Sequence, residues 1–287
     1  MKNLFIFVVL FLTFNALAEG APTTFAVQIE DLERAHGGSI GVAATNLEDG
    51  KYLEYRANER FAMCSTFKLL LVGAVLSHVD SGEERLSRSV EFTQADILEH
   101  APITKQHLNE NKMSIAELCA STLQYSDNTA ANLLLQSIGG PKSLTSYIRS
   151  LNDKVTRIDR TEPTLNSNNL NDLRDTTTPS AMVKTMQKLL VGNSLSQQSR
   201  EKLNTWLVGN KTGDKKLRAG IPPSWRIGDK TGAGNNGASS DVAIAWPTDK
   251  KPFLVAVYYT GSSTSTDEKN KIIAKVGRIV SKSFYPE

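Results

Sequence analysis

The chain has few of the residues that a metal centre or a disulfide framework requires, and it has no cluster of basic residues of the kind that binds nucleic acid. It contains two cysteines, Cys64 and Cys119, and four histidines among 287 residues, and the histidines show no metal-ligand spacing. We therefore expect neither a metal nor another cofactor. The formal net charge is +3, and the 33 lysines and arginines are scattered along the chain, which argues against a nucleic-acid partner.

A hydrophobic run long enough to cross a membrane is also missing. The apolar segment from Leu4 to Phe14 follows Met1-Lys2-Asn3, and it is shorter than the ~20 residues that a bilayer span needs. Ala16-Leu17-Ala18 then places small side chains at the spacing of a cleavage site. This arrangement predicts a secretory signal peptide over residues 1–18. We expect an exported protein, periplasmic or secreted, with no stable membrane association after cleavage.

The scarcity of cysteine leaves at most one disulfide. The compartment of an exported protein permits a bridge, but a chain of this length does not need one. Sequence alone cannot place Cys64 and Cys119 within bridging distance. A bridge at Cys64 would also constrain the residue that follows it, so we favour two free thiols.

The most informative feature that is present is Ser65-Thr66-Phe67-Lys68, at the head of the apolar stretch from Leu69 to Leu76. A helix that is apolar on nearly every face is buried, so the Lys68 ammonium must pair or lose its proton readily. Residues three apart share a helix face, which brings Lys68 to the hydroxyl of Ser65. A serine beside an amine of lowered pKa is an activated nucleophile. The N–H groups of the helix start suit a developing oxyanion.

Strand signals lie near the two ends of the chain, over residues 39–45, 51–55, 225–229, 242–246 and 253–259. Amphipathic helices are indicated outside these strands, from Phe25 to Ala35 and from Asp267 to about Lys282. Between Thr66 and Gly209 the signals are mostly helical. We therefore predict an α/β fold of the α+β type: an antiparallel five-stranded sheet flanked by the terminal helices, with an all-helical domain inserted.

The same distribution predicts the domain bounds. Residues 19–60 and 211–287 would form a discontinuous α/β domain, and residues 61–210 would form the helical domain. The segment 160–178 inside the helical part is polar, rich in asparagine and without periodicity. Long ordered loops in compact domains tend to be functional. Arg160 and Asp175 bracket this loop with opposite charges and are expected to tie its ends together.

Two further triplets carry chemistry. Ser126-Asp127-Asn128 lies between two predicted helices, where a serine is often only a helix cap, although its short side chains also suit proton transfer and amide binding. Lys230-Thr231-Gly232 closes a predicted strand, and its ammonium, hydroxyl and unhindered backbone suit a carboxylate ligand. In the long loop, Glu162 and Asn166 could hold one water between them if the loop folds against Ser65.

Several segments look like these motifs. Ser199-Arg200-Glu201-Lys202 repeats the serine–lysine spacing in a polar helix start that we expect to be solvated. Lys211-Thr212-Gly213 follows a helix and has no strand before it. Residues 232–237 match G-x-G-x-x-G, but they lead into a strand instead of a helix, so we predict a hairpin turn at Asn236-Gly237 and no dinucleotide site.

Taken together, the motifs resemble those of the class A serine β-lactamases. The matching segments occur in the same order and at fitting intervals over nearly the whole chain after the leader: Ser65 to Lys68, Ser126 to Asn128, Glu162 to Asn166, and Lys230 to Gly232. The resemblance implies hydrolysis of the β-lactam amide bond of penicillins and cephalosporins through a serine acyl-enzyme, and hence antibiotic resistance.

The resemblance also implies catalytic roles. Ser65 would attack the β-lactam carbonyl, and the backbone N–H groups of Ser65 and Ala233 would form the oxyanion hole. Lys68, or Glu162 through a water, would remove the serine proton, a choice that the sequence leaves open. Ser126 would relay a proton to the leaving ring nitrogen. Glu162 would then position the water that hydrolyses the acyl-enzyme.

The substrate-binding groups implied by the resemblance surround these catalytic residues. Asn128 would hold the side-chain amide of the substrate, and Lys230 with Thr231 would hold its carboxylate. The full set comprises Asn128, Asn166, Lys230, Thr231, Gly232, Ala233 and His100.

This chain departs from the family pattern at the carboxylate site. Many members supply an arginine there, either just beyond the K-T-G hairpin or from the last helix, whereas this chain has Ser239 and Ser240 in the first region and Lys269 with Asn270 in the second. Lys216 or Lys269 could substitute, but a lysine is a point charge and does not reproduce a bidentate fork. Sequence does not decide between the two.

A second departure concerns Cys64. It resembles members in which this cysteine is bridged to one just after K-T-G, but here the partner position is Gly234. The carbapenem-hydrolysing form of the family is therefore disfavoured.

Two alternatives share the serine–lysine and K-T-G motifs: a penicillin-binding D-Ala-D-Ala carboxypeptidase and a β-lactam sensor domain. Neither needs Glu162 and Asn166 to activate water, and a sensor would need a membrane-linked domain. We therefore favour a hydrolase that acts on small-molecule β-lactams as a monomer.

The cleavage pattern gives a first testable prediction: the exported protein begins at Glu19. Intact-mass measurement of protein recovered after export should show a chain that has lost residues 1–18. A mass that retains the Met1 segment would contradict the signal peptide.

Overall fold

The computed structural model describes residues 24–286, and the predicted signal peptide lies outside the described residues. Five strands form one antiparallel sheet, and most of the helices come between its second and third strands along the chain. The helices are α1 Phe25–His36, α2 Phe67–Asp80, α3 Ile115–Gln124, α4 Asn128–Ser137, α5 Pro141–Ser150, α6 Pro179–Leu190, α7 Gln197–Val208, α8 Leu217–Gly220 and α9 Thr266–Phe284. The strands are β1 Ser39–Asn46, β2 Tyr52–Tyr55, β3 Phe61–Ala62, β4 Ser89–Glu91, β5 Lys112–Ser114, β6 Thr176–Thr177, β7 Arg226–Ala233, β8 Ser239–Trp246 and β9 Phe253–Thr260.

The large sheet has the strand order β2-β1-β9-β8-β7, and every neighbouring pair is antiparallel. Its central strands are buried on both faces, so their sequences are continuous apolar runs and do not alternate between apolar and polar residues. One face packs against α1, α8 and α9 in a cluster that includes Val257 and Ile273. The other face packs against the helical region, with Val242 and Tyr258 in that cluster. The predicted fold class is confirmed.

Helix α2 lies at the centre of the helical region. Every residue from Phe67 to Leu76 is buried, as expected for a helix that is apolar all round, and α3, α4, α5 and α7 pack around it. The capping box at Ser114 and Glu117 starts α3 where the sequence indicated, and Thr178 caps α6 with Pro179 in its first turn. The Ser65 end of α2 thereby faces the sheet.

The sheet differs from the sequence prediction mainly in strand length. Strand β7 continues through Lys230-Thr231-Gly232 to Ala233, because its ladder with β8 extends to the pair Ala233 and Ser239. The turn between them has positive φ at both Asn236 and Gly237, as expected of the predicted hairpin turn. The short pairs β3–β6 and β4–β5 were not predicted.

Within residues 24–286, no helix combines the length and the apolar composition needed to cross a membrane. The division into two domains stays a prediction. Residues of the sheet and of the helical region, such as Tyr258 and Leu189, belong to one continuous hydrophobic cluster.

The predicted tie across the 160–178 loop is present. Arg160 Nε lies 2.6 Å from Asp175 Oδ2, and the Arg160 guanidinium also donates to Ser167 Oγ at 2.9 Å. The other Asp175 oxygen accepts the backbone N–H groups of Asp159 and Arg160. The Asp175 side chain is 1% exposed and that of Arg160 is 18% exposed. Removing one partner therefore leaves the other as an unpaired, buried charge, which destabilises the fold.

We expect Arg160→Met to lower the free energy of unfolding by as much as about 3 kcal/mol, below the full penalty for a deeply buried pair because Asp175 keeps two backbone donors. Thermal unfolding measures the loss. Arg34→Met is the matched control, since the Arg34 pairs with Glu30 and Asp31 are solvent-exposed and should matter little. Equal shifts in the two variants would contradict a structural role for the Arg160 tie.

Candidate active site

Ser65 occupies a tight turn, Cys64–Thr66, that leads directly into α2. Cys64 before it has φ +46°, a left-handed conformation that a non-glycine residue adopts at an energetic cost. Such strained residues concentrate at functional sites. Both thiols are buried and free, and burial raises the pKa of Cys64 to about 12, which makes this thiol a poor nucleophile beside Ser65.

Lys68 connects the elements of the site. Its side chain is fully buried, and its Nζ lies 3.0 Å from Ser65 Oγ and 3.1 Å from Glu162 Oε1. Nζ also donates to the Ser126 carbonyl at 2.8 Å and to Asn128 Oδ1 at 2.5 Å. The carbonyl and the amide oxygen can only accept, so two Nζ protons are directed at them.

Burial lowers the pKa of Lys68, and the negative charge of Glu162 opposes that effect. The serine hydroxyl accepts from Lys68 and lies 3.3 Å from Glu162 Oε1, to which it can donate. With Lys68 protonated, the proton of Ser65 points at the carboxylate, and with Lys68 neutral, its lone pair can accept that proton. The nucleophile therefore has two candidate bases within hydrogen-bond reach, as the sequence predicted.

The Ser126-Asp127-Asn128 triplet forms the entry to α4. Asp127 is fully buried and caps α4 through Ala130 N, and it also accepts the backbone N–H groups of Ile103 and Thr104 at 3.0 and 2.9 Å. These bonds fix the loop on which Ser126 sits with φ +58°. Ser126 Oγ then lies between two amines, 3.3 Å from Lys68 Nζ and 3.1 Å from Lys230 Nζ.

Glu162 and Asn166 belong to one turn of the 160–178 loop, which folds against Ser65. Asn166 Nδ2 donates to Glu162 Oε2 at 2.5 Å, while Asn166 Oδ1 is buried and accepts no hydrogen bond from a described residue. Asn132 holds the backbone of Glu162 from both sides, donating to its carbonyl at 2.9 Å and accepting its N–H at 3.0 Å. Asn132 was not predicted from the sequence, although it stands one helical turn after Asn128 on the same face.

Lys230-Thr231-Gly232 lies within β7, opposite the turn that bears Ser65. Lys230 is fully buried, and its Nζ donates to Ser126 Oγ and to the Thr231 carbonyl at 2.8 Å. Burial, reinforced by the positive charge of Lys68, lowers the pKa of Lys230 to about 7. A Cβ on Gly232 would meet the Met63 carbonyl oxygen at 2.9 Å. Only a glycine lets this strand approach the nucleophile turn so closely.

A cleft of about 730 Å³ opens over these groups. The predicted site residues that line it are Ser65, His100, Ser126, Asn128, Asn166, Thr231, Gly232 and Ala233. Lys68, Lys230 and Glu162 lie behind this surface. His100 is exposed, and its ring lies 3.2 Å from the Tyr125 carbonyl. The structure thus brings every sequence-predicted site residue to one place, from both ends of the chain and from its helical middle.

The two look-alike motifs have different positions. Thr212 of Lys211-Thr212-Gly213 lines the same cleft, and its hydroxyl lies 2.6 Å from that of Thr231, although no strand precedes this segment. Sequence gave no signal for that contact because the two threonines belong to separate elements. Ser199 lies in the first turn of α7, at a helix start as predicted, but it is buried and donates to Asp80 instead of being solvated.

A metal-binding arrangement is not found in residues 24–286: no three His, Cys, Asp or Glu side chains come together there to hold an ion. The residues that meet at the cleft are instead a serine, two lysines, a second serine and a glutamate. Such a set provides a nucleophile, bases and a proton relay, and it defines an enzyme of the acyl-transfer type.

Comparison with known proteins agrees with this chemistry. The model of the β-lactamase enzyme family matches residues 24–284, and the chain belongs to that family. The β-lactamase OXY-2 of Klebsiella oxytoca is 44% identical over 272 residues, 93% of each chain. The β-lactamase CTX-M-97 of Escherichia coli is 44% identical over 257 residues, 90% of this chain and 88% of its own.

Within the family the chain falls into class A. An ancestral class A β-lactamase of solved structure is 49% identical, with a TM-score of 0.90, and the match covers 91% of this chain and all of the other. The class that the motifs indicated is confirmed.

Proposed function

We propose that this chain hydrolyses the amide bond of β-lactams, penicillins and cephalosporins, through an acyl-enzyme on Ser65, and so confers antibiotic resistance. One observation carries the proposal. Ser65 Oγ lies within 3.0 Å of Lys68 Nζ and 3.3 Å of Glu162 Oε1, so an activated serine and a second, water-activating group share one site.

In the acylation step, Ser65 Oγ bonds to the ring carbonyl carbon and the carbon–nitrogen bond breaks. The serine proton passes to Glu162, directly or through a water, or to Lys68 in its neutral form. The ring nitrogen receives a proton from Ser126, whose hydroxyl is resupplied by Lys68. A proton taken up by Glu162 then passes to Lys68, 3.1 Å away, so the carboxylate is free again for the next step. The backbone N–H groups of Ser65 and Ala233 bind the oxyanion.

In the deacylation step, a water attacks the ester carbon, the bond to Ser65 Oγ breaks, and the proton returns to Ser65. The buried Asn166 Oδ1, which lacks a donor among the described residues, suits that water together with the Glu162 carboxylate. Glu162 then acts as the general base. Asn128 and His100 hold the side chain of the substrate, and Thr231 with Lys230 holds its carboxylate.

The loop geometry favours a hydrolase over a carboxypeptidase or a sensor, both of which could use Ser65 and Lys68. Neither alternative needs a carboxylate beside the acyl bond to activate water. Here Asn132 and Asn166 fix Glu162 beside Ser65, and the Arg160–Asp175 pair fixes the loop that carries it.

We also propose that the protein is exported to the periplasm or secreted, acts as a monomer and needs no cofactor. Export is supported by the apolar run from Leu4 to Phe14, which Ala16-Leu17-Ala18 follows. The family match begins beyond that point, at residue 24. The division into a sheet domain, residues 19–60 and 211–287, and a helical domain, residues 61–210, would place the cleft where the two meet.

Glu162→Gln should separate the two half-reactions, because glutamine keeps the shape of the side chain but cannot accept a proton. General-base assistance is worth ~10²- to 10⁴-fold in rate, so deacylation should slow by that factor. Without the Glu162 charge the pKa of Lys68 falls further, and the neutral amine can still assist Ser65. Mass spectrometry of the variant mixed with a penicillin should show an adduct on Ser65 equal to the intact drug.

Glu110→Gln, a change at an exposed glutamate, is the matched control and should turn over at the wild-type rate. If the wild-type protein itself holds the adduct for hours, the chain is a sensor or a transpeptidase. If Glu162→Gln turns over normally without an adduct, the assignment of Glu162 is wrong.

The lowered pKa of Lys230 predicts a pH dependence. Burial and the positive charge of Lys68 lower the pKa of Lys230 to about 7. Only the protonated form of Lys230 attracts the substrate carboxylate, so kcat/KM should fall as pH rises through that value. In Lys230→Arg the guanidinium stays protonated, so the fall should move to higher pH, at reduced maximal activity. The measurement is a pH profile of kcat/KM, with Lys215→Arg as the exposed control. An unmoved alkaline limb would contradict the role of Lys230.

A further inference from the structure

A second cavity, of about 800 Å³, lies apart from the cleft over Ser65 and shares no lining residue with it. One wall is the segment 151–155, which follows α5, and another is a face of α6 that carries Lys184 and Lys188. Thr178, where the 160–178 loop ends, also lines this cavity, so we call it the loop-base cavity. Its volume falls in the range of small-molecule sites, about 300–1,000 Å³.

The side chains that line the loop-base cavity carry an excess of positive charge. They include three lysines, Lys154, Lys184 and Lys188, and a single carboxylate, that of Asp153. Lys188 donates to the Leu151 carbonyl, and no carboxylate oxygen of residues 24–286 forms a salt bridge with any of the three lysines. Their charges are therefore open to an anionic ligand.

Asp153 does not neutralise these lysines, because its own segment and α6 already saturate it. Its Oδ1 accepts the backbone N–H groups of Val155 and Thr156, both at 2.9 Å. Its Oδ2 accepts the hydroxyls of Thr156 at 2.5 Å and Thr185 at 3.0 Å. An ionised carboxylate has about four acceptor sites, so the Asp153 carboxylate is a fixed part of the wall.

The neutral groups of the cavity offer both apolar contact and hydrogen-bond donors. Leu151 and Ala181 line it with apolar surface, and the side-chain amides of Asn58 and Asn152 line it without donating to a described residue. Thr178 Oγ accepts the Ala181 N–H at 3.1 Å, which leaves its own proton free to donate. These surroundings suit a molecule with an apolar body and more than one anionic group.

We infer that the loop-base cavity binds an organic dicarboxylate with an apolar body, whose carboxylates contact Lys184 and Lys188 on one wall and Lys154 on the other. The two lysines of α6 are four residues apart and so share one helix face. A monocarboxylate of the same size can satisfy only one of the walls. The site therefore distinguishes ligands by the number of their carboxylates.

The proposed reaction makes a molecule of this class. Addition of water across the carbon–nitrogen bond of the lactam leaves a secondary amine and a new carboxylate, so a substrate with one carboxylate becomes a dicarboxylate. We therefore expect the ring-opened product to occupy the cavity, and this choice of occupant rests on the proposed function. The dicarboxylate site itself rests on the cavity and its lysines.

The position of the cavity connects such a ligand to the loop that carries Glu162. Asp153 joins Thr156, before the loop, to Thr185 in α6, after it, and Thr156 Oγ lies 2.6 Å from Thr177 Oγ. A molecule bound between the two walls therefore stabilises the residues that hold both ends of the loop. A ligand that binds only the folded chain also raises the melting temperature.

The test follows the backbone amide signals of the wild-type protein by NMR during titration with benzylpenicilloate, the hydrolysed form of benzylpenicillin. Phthalate serves as an unrelated dicarboxylate and phenylacetate as a monocarboxylate. Both dicarboxylates should shift the signals of residues 151–156 and 184–188 and raise the melting temperature. Phenylacetate should bind about fivefold more weakly, the upper range for one exposed ion pair.

Lys184→Glu replaces an attraction by a repulsion, so the affinity for both dicarboxylates should fall about 10-fold, while turnover of benzylpenicillin stays at the wild-type rate. Lys184→Gln should lose less affinity and keeps the test valid if the first variant folds poorly. Lys142→Glu is the matched control. It makes the same charge change at the opposite end of α5, outside the cavity, and should bind like the wild-type protein.

Shifts confined to residues of the cleft over Ser65 would overturn the inference, and so would equal losses in Lys184→Glu and Lys142→Glu. Shifts with phthalate but not with benzylpenicilloate would refute the product as the occupant. If the wild-type protein fails to hydrolyse benzylpenicillin while phthalate shifts the cavity signals, the proposed function fails and the dicarboxylate site stands. Normal hydrolysis without shifts at the cavity refutes the site alone.

Discussion

The structure depends on one buried lysine. Lys68 is fully buried at the start of an apolar helix, so its amino group needs polar partners from elsewhere in the chain. Ser65, the 126–128 loop, α4 and the 160–178 loop each supply an oxygen to its Nζ. The requirement to solvate this one group with protein atoms therefore brings together segments that are as far apart in sequence as residues 65 and 162. The site that results is preorganised and rich in proton-transfer partners.

Holding that arrangement has structural costs that the surrounding fold offsets. Cys64 and Ser126 both have positive φ immediately beside Lys68, conformations that cost of order 1–3 kcal/mol each and persist where neighbours over-determine them. Asp127 is such a neighbour for Ser126, because its side chain accepts backbone N–H groups on both segments that flank this loop. Asn132 fixes the backbone of Glu162 in a similar way. A second row of charge lies behind β7, where Asp229 is paired with Arg218. Burial dominates there too, and it raises the pKa of Asp229 and lowers that of Lys216.

Much of the fold and the residue set of the site could be predicted because their signals are local. The caps at Ser114 and Thr178 and the Asn236-Gly237 turn each act within a few residues. Other features could not be read in this way. The extension of β7 to Ala233 is set by its partner strand, and the β3–β6 pair joins residues more than a hundred positions apart. Asn132 was missed for a similar reason, since its value lies in reaching Glu162 across the space between two elements.

By itself the sequence determined the class of chemistry: a serine and a lysine share one face of a helix too apolar to admit water, and three further motifs stand at fitting intervals. Periodicity and spacing suffice for that because they act along the chain. Tertiary structure alone decided how the charges are distributed over the site. The lysines Lys211, Lys215, Lys216 and Lys269 line one end of the cleft, and only packing buries Lys216 against Ser239 while it leaves Lys215 paired in solvent. Burial and the distance to a counter-ion are properties of the assembled fold, because they depend on residues that are distant in sequence.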